Sequence, residues 1–123
     1  MTKRNIVHIE IPSTNFDQSV KFYSELFDWK ITPLPEMNYV LWEPEEGPGG
    51  GFNPLGQNSR VGEILVHVNS DDIDADLKKV QSLGGKVRLP KTEIPDIGWF
   101  AIFMDPTGNP ITIYTSKNPQ SSA

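Results

Sequence analysis

The chain has 123 residues and a formal net charge of −5, and it contains no cysteine. This length predicts one domain with a sizeable core, and an acidic chain without a run of Lys or Arg is poorly suited to bind nucleic acid. The lack of cysteine excludes disulfides, thiolate metal sites and cysteine nucleophiles.

No targeting or membrane-spanning segment is visible in the sequence. Met1 to Arg4 lead directly into an alternating strand and lack the apolar stretch of a signal peptide. No segment approaches the roughly 18 apolar residues that a membrane span needs. We therefore expect a cytoplasmic protein that binds neither membrane nor nucleic acid.

The first half of the chain predicts a strand, a helix and short strands after it. Residues 5–12 alternate apolar and polar side chains, as a half-buried strand does, and this puts His8 and Glu10 on the polar face. After an N-cap region at 13–15, apolar residues recur at spacings of four, three and four, which indicates one face of a helix. They are Phe16, Val20, Tyr23 and Phe27. Short strands are predicted at 29–32 and 38–43, and a short edge at 50–52 follows a turn-rich link.

The second half repeats this order of elements. A strand alternates over 64–69, and a helix begins after Asp71 and Asp72 and ends at Gly84-Gly85. Strands are predicted at 86–89, 99–104 and 110–115, the last two joined by a type I turn at 105–108. A shift of 57 residues aligns identical pairs without a gap: Ser13 with Ser70, Asp17 with Asp74, Lys21 with Lys78, and Leu26 with Leu83. We infer a βαβββ unit that is used twice.

Paired βαβββ units in about 120 residues resemble the vicinal-oxygen-chelate superfamily, which includes glyoxalase, bleomycin-resistance and extradiol dioxygenase proteins. The resemblance covers residues 5–115 and includes the family's opening, helix end and last hairpin. The segment at 94–101 is similar to a bacterial branch described as related to lactoylglutathione lyase. The motifs are His8 to Pro12, Phe22-Tyr23, Phe27 to Trp29, Leu83 to Val87, Ile94 to Ala101 and Phe103 to Pro110.

The resemblance implies an α+β fold in which two βαβββ modules form cupped mixed sheets around a small-molecule pocket. We expect a single domain over residues 1–116, a disordered tail at 117–123, and a homodimer, as in many members of the family. The cups form either within one chain or across the dimer.

Metal-dependent members of the family hold a divalent ion with four side chains, one from the first and one from the fourth strand of each unit. His8 matches the first of these positions, whereas the others fall on Leu65, near Gly50 or Gly51, and on Thr112. A slipped alignment would recruit Glu63, still without a partner from either fourth strand. We therefore expect no cofactor, with a divalent metal as the less favoured alternative.

Polar side chains on the predicted strands are the candidate site residues. Glu10 is our candidate general base, because burial raises the pKa of a carboxyl, and His67 is the candidate to polarise a carbonyl or take a proton. Ligand-binding candidates are His8, Thr112, Tyr114 and Trp99, the last for stacking. The alternative interpretation of the polar cluster is a satisfied interior network without a ligand.

Other residues receive structural interpretations. Trp29, Trp42 and Trp99 are expected in the core by default, and the glycine run at 49–51 is expected in a bulged or edge strand that another backbone approaches closely. The carboxylates at 71–76 belong to the first turn of a helix, where they favour the helix dipole.

Three functions remain open from sequence. The first is a glyoxalase-related lyase, isomerase or oxygenase that acts on a small oxygenated metabolite. The second is a non-catalytic binding or drug-sequestering protein, favoured by the acidic charge and the incomplete metal quartet. The third is a regulatory subunit that kept the fold and lost the pocket.

Overall fold

The computed structural model describes residues 3–117, and its elements follow the order βαβββ twice. The first set consists of β1 (Ile6–Ser13), α1 (Phe16–Phe27), β2 (Lys30–Leu34), β3 (Tyr39–Glu43) and β4 (Gly50–Pro54), with a 3₁₀ turn at Pro35–Met37. The second set consists of β5 (Leu65–Asn69), α2 (Ile73–Ser82), β6 (Lys86–Ile94), β7 (Gly98–Met104) and β8 (Pro110–Ser116). This order confirms the predicted α+β class.

The two sets pair their strands in the same way. β1 runs parallel to β4, and β4, β3 and β2 follow as antiparallel neighbours. β5 likewise runs parallel to β8, with β7 and β6 antiparallel beyond it. The predicted repeat of one βαβββ unit is therefore confirmed.

Each repeat has its own core beneath its own helix. The described chain divides into a first unit of residues 8–65 and a second unit of residues 3–7 together with 66–117. In the first unit the buried residues are Val40, Trp42 and Phe52, with α1 packed against them; in the second they are Ile73, Leu77, Ala101 and Ile113. Because strand side chains alternate between faces, one face of each sheet is apolar and meets a helix.

Ser13 and Ser70 hold equivalent positions before the helices of their units. The hydroxyl oxygen of each accepts a hydrogen bond from the backbone N–H two residues later at 3.2 Å, and bonds at 2.6 Å to the side chain six residues later. The partners are Asn15 and Ser19 for Ser13, and Asp72 and Asp76 for Ser70. The 57-residue spacing found in the sequence thus joins residues that make the same bonds.

Two strand predictions differ from the structure. The predicted edge at 50–52 is wrong, because β4 lies between β1 and β3. The predicted close approach of another backbone is confirmed, since a Cβ on Gly50 would overlap the carbonyl oxygen of Ile9. The strand predicted at 86–89 extends to Ile94, because two register shifts carry its pairing with β7 past Pro90.

The C-terminal end of the described chain is held to the second unit. The backbone N–H of Lys117 donates to the carbonyl of Ile97 at 2.8 Å, and its side chain forms an ion pair with Glu93. The remainder of the predicted tail, residues 118–123, lies outside the described residues. Over residues 3–117, no helix has the length and apolar character needed to cross a membrane.

Candidate functional site

The polar face of β1 lies on the side of the sheet away from α1. Ile9 and Ile11 pack against the core of the first unit. Since side chains alternate along a strand, His8 and Glu10 project from the opposite face, where both are half-buried. The predicted separation of the strand into an apolar and a polar face is confirmed.

Tyr39, the first residue of β3, joins these two side chains. Its hydroxyl donates a hydrogen bond to Oε2 of Glu10 at 2.9 Å and lies 2.7 Å from Nε2 of His8. The rings of Tyr39 and His8 are inclined by only 17°, with centroids 6.1 Å apart. We refer to this arrangement as the His8–Tyr39–Glu10 chain.

Gly51 makes room for the Tyr39 ring. In the sheet register Gly51 lies opposite Glu10 on one side and Leu41 on the other. A Cβ on Gly51 would overlap Cε2, Cζ and the hydroxyl oxygen of Tyr39. The ring therefore lies against the β4 backbone, and the absence of a side chain there lets the hydroxyl reach β1.

Burial changes the acid–base properties of all three side chains. Burial lowers the pKa of His8 to about 4, so its imidazole is neutral at neutral pH. Burial raises the pKa of Glu10, and the hydrogen bond from Tyr39 partly opposes that rise. The pKa of Tyr39 lies above its ordinary value because of burial, then the negative charge of Glu10 and the hydrogen bond to it. The site thus combines a carboxyl with raised proton affinity, a phenol that keeps its proton and a neutral imidazole.

These properties suit proton transfer better than metal binding. Among residues 3–117, no cluster of three or more His, Asp or Glu side chains could hold a metal ion. In the first unit the Tyr39 hydroxyl already bonds to both His8 and Glu10, and its ring occupies the space where a side chain at position 51 would project. The donor set therefore does not match the four-ligand metal site that the family resemblance implies.

His67 and Thr112 are neighbours in the second unit. They lie directly opposite each other on β5 and β8, with His67 9% exposed and Thr112 completely buried. Thr112 Oγ1 has no hydrogen-bond partner within the part of the chain that the structure describes. Tyr114 follows two residues later on the same face of β8 and is also buried.

Trp99 lies on the other face of that sheet. It packs with the core cluster around Ile73 and Ala101 beneath α2, because odd-numbered residues of β7 point towards the helix. The amines of Lys91 and Lys117 lie 5.3 and 5.2 Å from the centre of its ring. Trp99 is therefore separated from Thr112 and Tyr114 by the sheet, and the structure does not bring these three predicted ligand-binding residues together.

Tyr39 is the residue that the sequence analysis missed. Its position at the start of a predicted strand gave it no signal distinct from core residues such as Val40. The informative signal was the glycine at position 51, which leaves a gap on the polar face of the sheet. Using that signal requires the register in which β4 lies between β1 and β3, and a single sequence does not supply it.

The match to known proteins extends over most of the chain. Residues 5–113 match the model of the Glyoxalase/Bleomycin resistance protein/Dioxygenase superfamily. A glyoxylase-like domain-containing protein of Didymella fabae is 32% identical over 120 residues, which cover 87% of this chain and 90% of the relative. The chain therefore belongs to the glyoxalase/bleomycin-resistance/dioxygenase superfamily.

Solved structures with low sequence identity share the fold. A superfamily member from Vibrio splendidus is 11% identical, with a TM-score of 0.68 and coverage of 93% of this chain and 100% of that one. Methylmalonyl-CoA epimerase of Mycobacterium tuberculosis is 14% identical, with a TM-score of 0.65 and coverage of 96% and 91%. At these identities the likeness shows the fold alone.

Proposed function

We propose that the protein is a proton-transfer enzyme of the isomerase or lyase type that acts on a small oxygenated metabolite, with Glu10 as the base. The observation that carries this proposal is the buried carboxyl of Glu10 held by the Tyr39 hydroxyl at 2.9 Å. A carboxyl with a pKa raised by burial is a stronger base than one in water, which suits it to take a proton from a weakly acidic carbon.

The reaction would proceed by transfer of a proton from a carbon next to a carbonyl group. The C–H bond breaks, its electron pair moves towards the carbonyl as an enolate, and the proton passes to Glu10. Return of the proton to the same or a neighbouring atom completes an isomerisation, and departure of a group beside the enolate completes an elimination. Tyr39 would keep the carboxylate oriented through its bond to Oε2.

Deuterium incorporation in D₂O tests this proposal even before a substrate is identified. The panel would contain α-hydroxyketones, 2-hydroxyaldehydes and 2-substituted malonyl thioesters, each followed by proton NMR at the carbon next to the carbonyl. We expect incorporation into at least one class, and a loss of about 100-fold or more in Glu10→Gln. Glu43→Gln is the matched control, since Glu43 is an exposed carboxylate at the end of β3. Wild-type activity in the Glu10 variant would refute the role of Glu10.

For the second unit by itself, we propose that His67 polarises a carbonyl and that Thr112 and Tyr114 bind a ligand. The support is their burial on one face of the second unit, with an unpartnered hydroxyl oxygen on Thr112 among the described residues. Buried polar groups without partners cost free energy, which a ligand hydrogen bond would offset. His67→Gln and Thr112→Val should each slow deuterium incorporation, and unchanged rates in both would refute a role for this face of the second unit.

A second candidate function is the binding of a cationic molecule without turnover. It is favoured by the net charge of −5 and by the Glu10 carboxyl, which has no cation beside it among the described residues and whose pKa only burial and Tyr39 affect. Quenching of Trp fluorescence by a panel of cationic antibiotics would then weaken with salt and persist in chelator. No quenching by the panel, together with deuterium incorporation, would decide for the enzyme.

A homodimer is also part of the proposal. Three large apolar side chains of α1 are more than half exposed, namely Phe22, Leu26 and Phe27. A second copy of the chain would bury such residues favourably. Light scattering should give twice the monomer mass for the wild-type protein and a lower mass for a Phe22→Ser, Leu26→Ser variant; a wild-type monomer at high concentration would contradict it.

A further inference from the structure

The Tyr39 hydroxyl, at the centre of the His8–Tyr39–Glu10 chain, has one hydrogen and two hydrogen-bonding neighbours. An ionised carboxylate has no proton to donate, so the hydroxyl of Tyr39 donates its hydrogen bond to Oε2 of Glu10. The same oxygen lies 2.7 Å from Nε2 of His8. With its only proton already engaged, the phenol can only accept at this second contact, and the imidazole must supply the hydrogen.

We infer that Tyr39 is a positioning residue that fixes the tautomer of His8, with the hydrogen on Nε2 whenever Glu10 is ionised. This inference rests on the proposed function only in its consequence for catalysis. Its physical basis is the hydrogen-bond geometry of three side chains in one unit, together with the one donor and two acceptor sites of a phenol.

The fixed tautomer determines how His8 meets any group at its other ring nitrogen. With the hydrogen on Nε2, the Nδ1 atom of a neutral imidazole carries a lone pair and acts as an acceptor. A molecule that reaches Nδ1 must therefore offer an O–H or N–H donor. The proposed substrates that carry a hydroxyl group beside the carbonyl fulfil this condition, whereas simple ketones do not.

Proton uptake by Glu10 removes the constraint. A protonated carboxyl can donate to the oxygen of Tyr39, which frees the phenol to turn its own proton towards Nε2 of His8. Nε2 then becomes the acceptor, and the hydrogen of the neutral ring moves to Nδ1 by exchange with solvent, one proton leaving Nε2 as another joins Nδ1. His8 would thus change from acceptor to donor at Nδ1 at the stage when an enolate oxygen needs a donor.

The His8–Tyr39–Glu10 chain also depends on Gly51. Its lack of a side chain is what allows the phenol to lie against β4 and contact both neighbours. A side chain at this position would move the hydroxyl away from His8 and Glu10 together, so Nε2 of His8 would lose the phenol as its hydrogen-bond acceptor even though His8 itself is unchanged.

The tautomer can be measured by ¹⁵N NMR on the full chain labelled at histidine. The sequence contains only two histidines, His8 and His67, and His8→Gln assigns the signals. At a pH above the pKa of Glu10, located by ¹³C NMR of labelled glutamate, we expect His8 of the wild-type protein to show a protonated Nε2 and an unprotonated Nδ1. Tyr39→Phe should lower the fraction of His8 that carries the hydrogen on Nε2, because the phenol that accepts this hydrogen is lost.

Glu10→Gln and Glu43→Gln complete the test. The amide of a glutamine at position 10 can donate to Tyr39, so the Nε2-protonated fraction of His8 should fall, while Glu43→Gln should leave it unchanged. Unchanged signals of His67 would report that each variant is folded. A wild-type His8 protonated at Nδ1, or a tautomer that neither Tyr39→Phe nor Glu10→Gln alters, would overturn the inference. Since no substrate is present, this result is independent of the deuterium-incorporation test of the proposed function.

Discussion

The phenol ring of Tyr39 lies where the side chain of residue 51 would be if that residue were not glycine. This relationship places a hydroxyl from β3 within hydrogen-bonding distance of two side chains on β1, across the intervening strand β4. A polar group is thereby supplied to the centre of the candidate site from a neighbouring strand, and its position depends on a backbone position without a Cβ.

Gly51→Ala tests this dependence. The added methyl would displace the Tyr39 ring, and we expect a loss of about 1–3 kcal/mol in the free energy of unfolding, as for other overpacked sites. In a Tyr39→Ala background the same substitution should cost much less, because the overlapping ring is gone. Gly56→Ala is the control, since nothing lies within 4 Å of a Cβ there. Equal costs of Gly51→Ala in both backgrounds, measured by urea unfolding, would contradict the packing described.

Tyr39→Phe should alter both the stability and the acid–base behaviour of the site. Two half-buried side chains lose a hydrogen-bond partner, with an expected cost of about 1–3 kcal/mol. The pKa of Glu10 should rise further, because the bond from Tyr39 is what lowers it against the effect of burial. Titration of ¹³C-labelled glutamate by NMR measures that change.

Tyr23→Phe is the matched control for this substitution. Tyr23 stacks on Trp29 at 5.4 Å between ring centroids and makes no hydrogen bond through its hydroxyl among the described residues. Its loss of a hydroxyl should change stability by no more than about 0.5 kcal/mol. A fall in the pKa of Glu10 in Tyr39→Phe, or equal effects of the two substitutions on stability, would contradict the hydrogen bonds of the His8–Tyr39–Glu10 chain.

His8 should make the protein less stable in mild acid. Its pKa is about 4 in the folded chain, against an ordinary value of 6.5. As the pH falls below about 6.5 the unfolded chain binds a proton at His8 that the folded chain does not, so stability is lost until the folded pKa is reached. The loss attributable to this group is at most roughly 3.5 kcal/mol, since one pKa unit corresponds to about 1.4 kcal/mol.

Glu10 acts in the opposite direction, because its folded pKa is raised. Its contribution to stability is present below the ordinary carboxyl pKa and is lost as the pH rises through the folded value. Free energies of unfolding from about pH 7 to about pH 4 should therefore decline less in His8→Gln than in the wild-type protein, and more steeply in Glu10→Gln. A parallel decline in all three proteins would show that neither group has a perturbed pKa.

Ser70→Ala and Ser13→Ala should both destabilise the protein, because each removes the bonds that anchor a helix start. Ser70→Ala is expected to lower the free energy of unfolding more than Ser13→Ala does, by about 1–3 kcal/mol. The reason is that Asp76, the partner of Ser70, is charged and also binds Arg4 at 2.7 Å. The control is Ser82→Ala, which removes an exposed hydroxyl that donates to the carbonyl of Lys79 in the same helix. Thermal unfolding that ranks Ser82 with or above Ser70 would contradict this account of the repeat.

Much of the fold followed from local patterns. The alternation around His8 and Glu10 predicted β1 and its two faces, and the spacing of apolar residues predicted α1 over its full length. Errors arose where pairing partners decide the outcome. β4 is a central strand although its glycines suggest an edge, and Pro90 lies inside β6 because bulges release it from regular pairing.

The candidate site was predictable only in part for the same reason. His8 and Glu10 lie two residues apart on one strand, so their proximity follows from the strand period alone. Tyr39 joins them from another strand. Trp99 does not lie beside the other predicted ligand-binding residues, because its position in β7 points its side chain towards α2. Both facts depend on register between strands, which the local sequence does not encode.

The most direct test of Glu10 as the base compares two pH dependences. The rate of deuterium incorporation into a responsive substrate is measured across pH in wild type and Tyr39→Phe, and the pKa of Glu10 is measured in both by ¹³C NMR. We predict that the rate rises with pH through the pKa of Glu10, above the ordinary carboxyl value, and that both move upwards together in Tyr39→Phe. A rate that does not change with pH around the pKa of Glu10, or a Glu10 that titrates as an ordinary carboxyl, would contradict the role of Glu10 as the base.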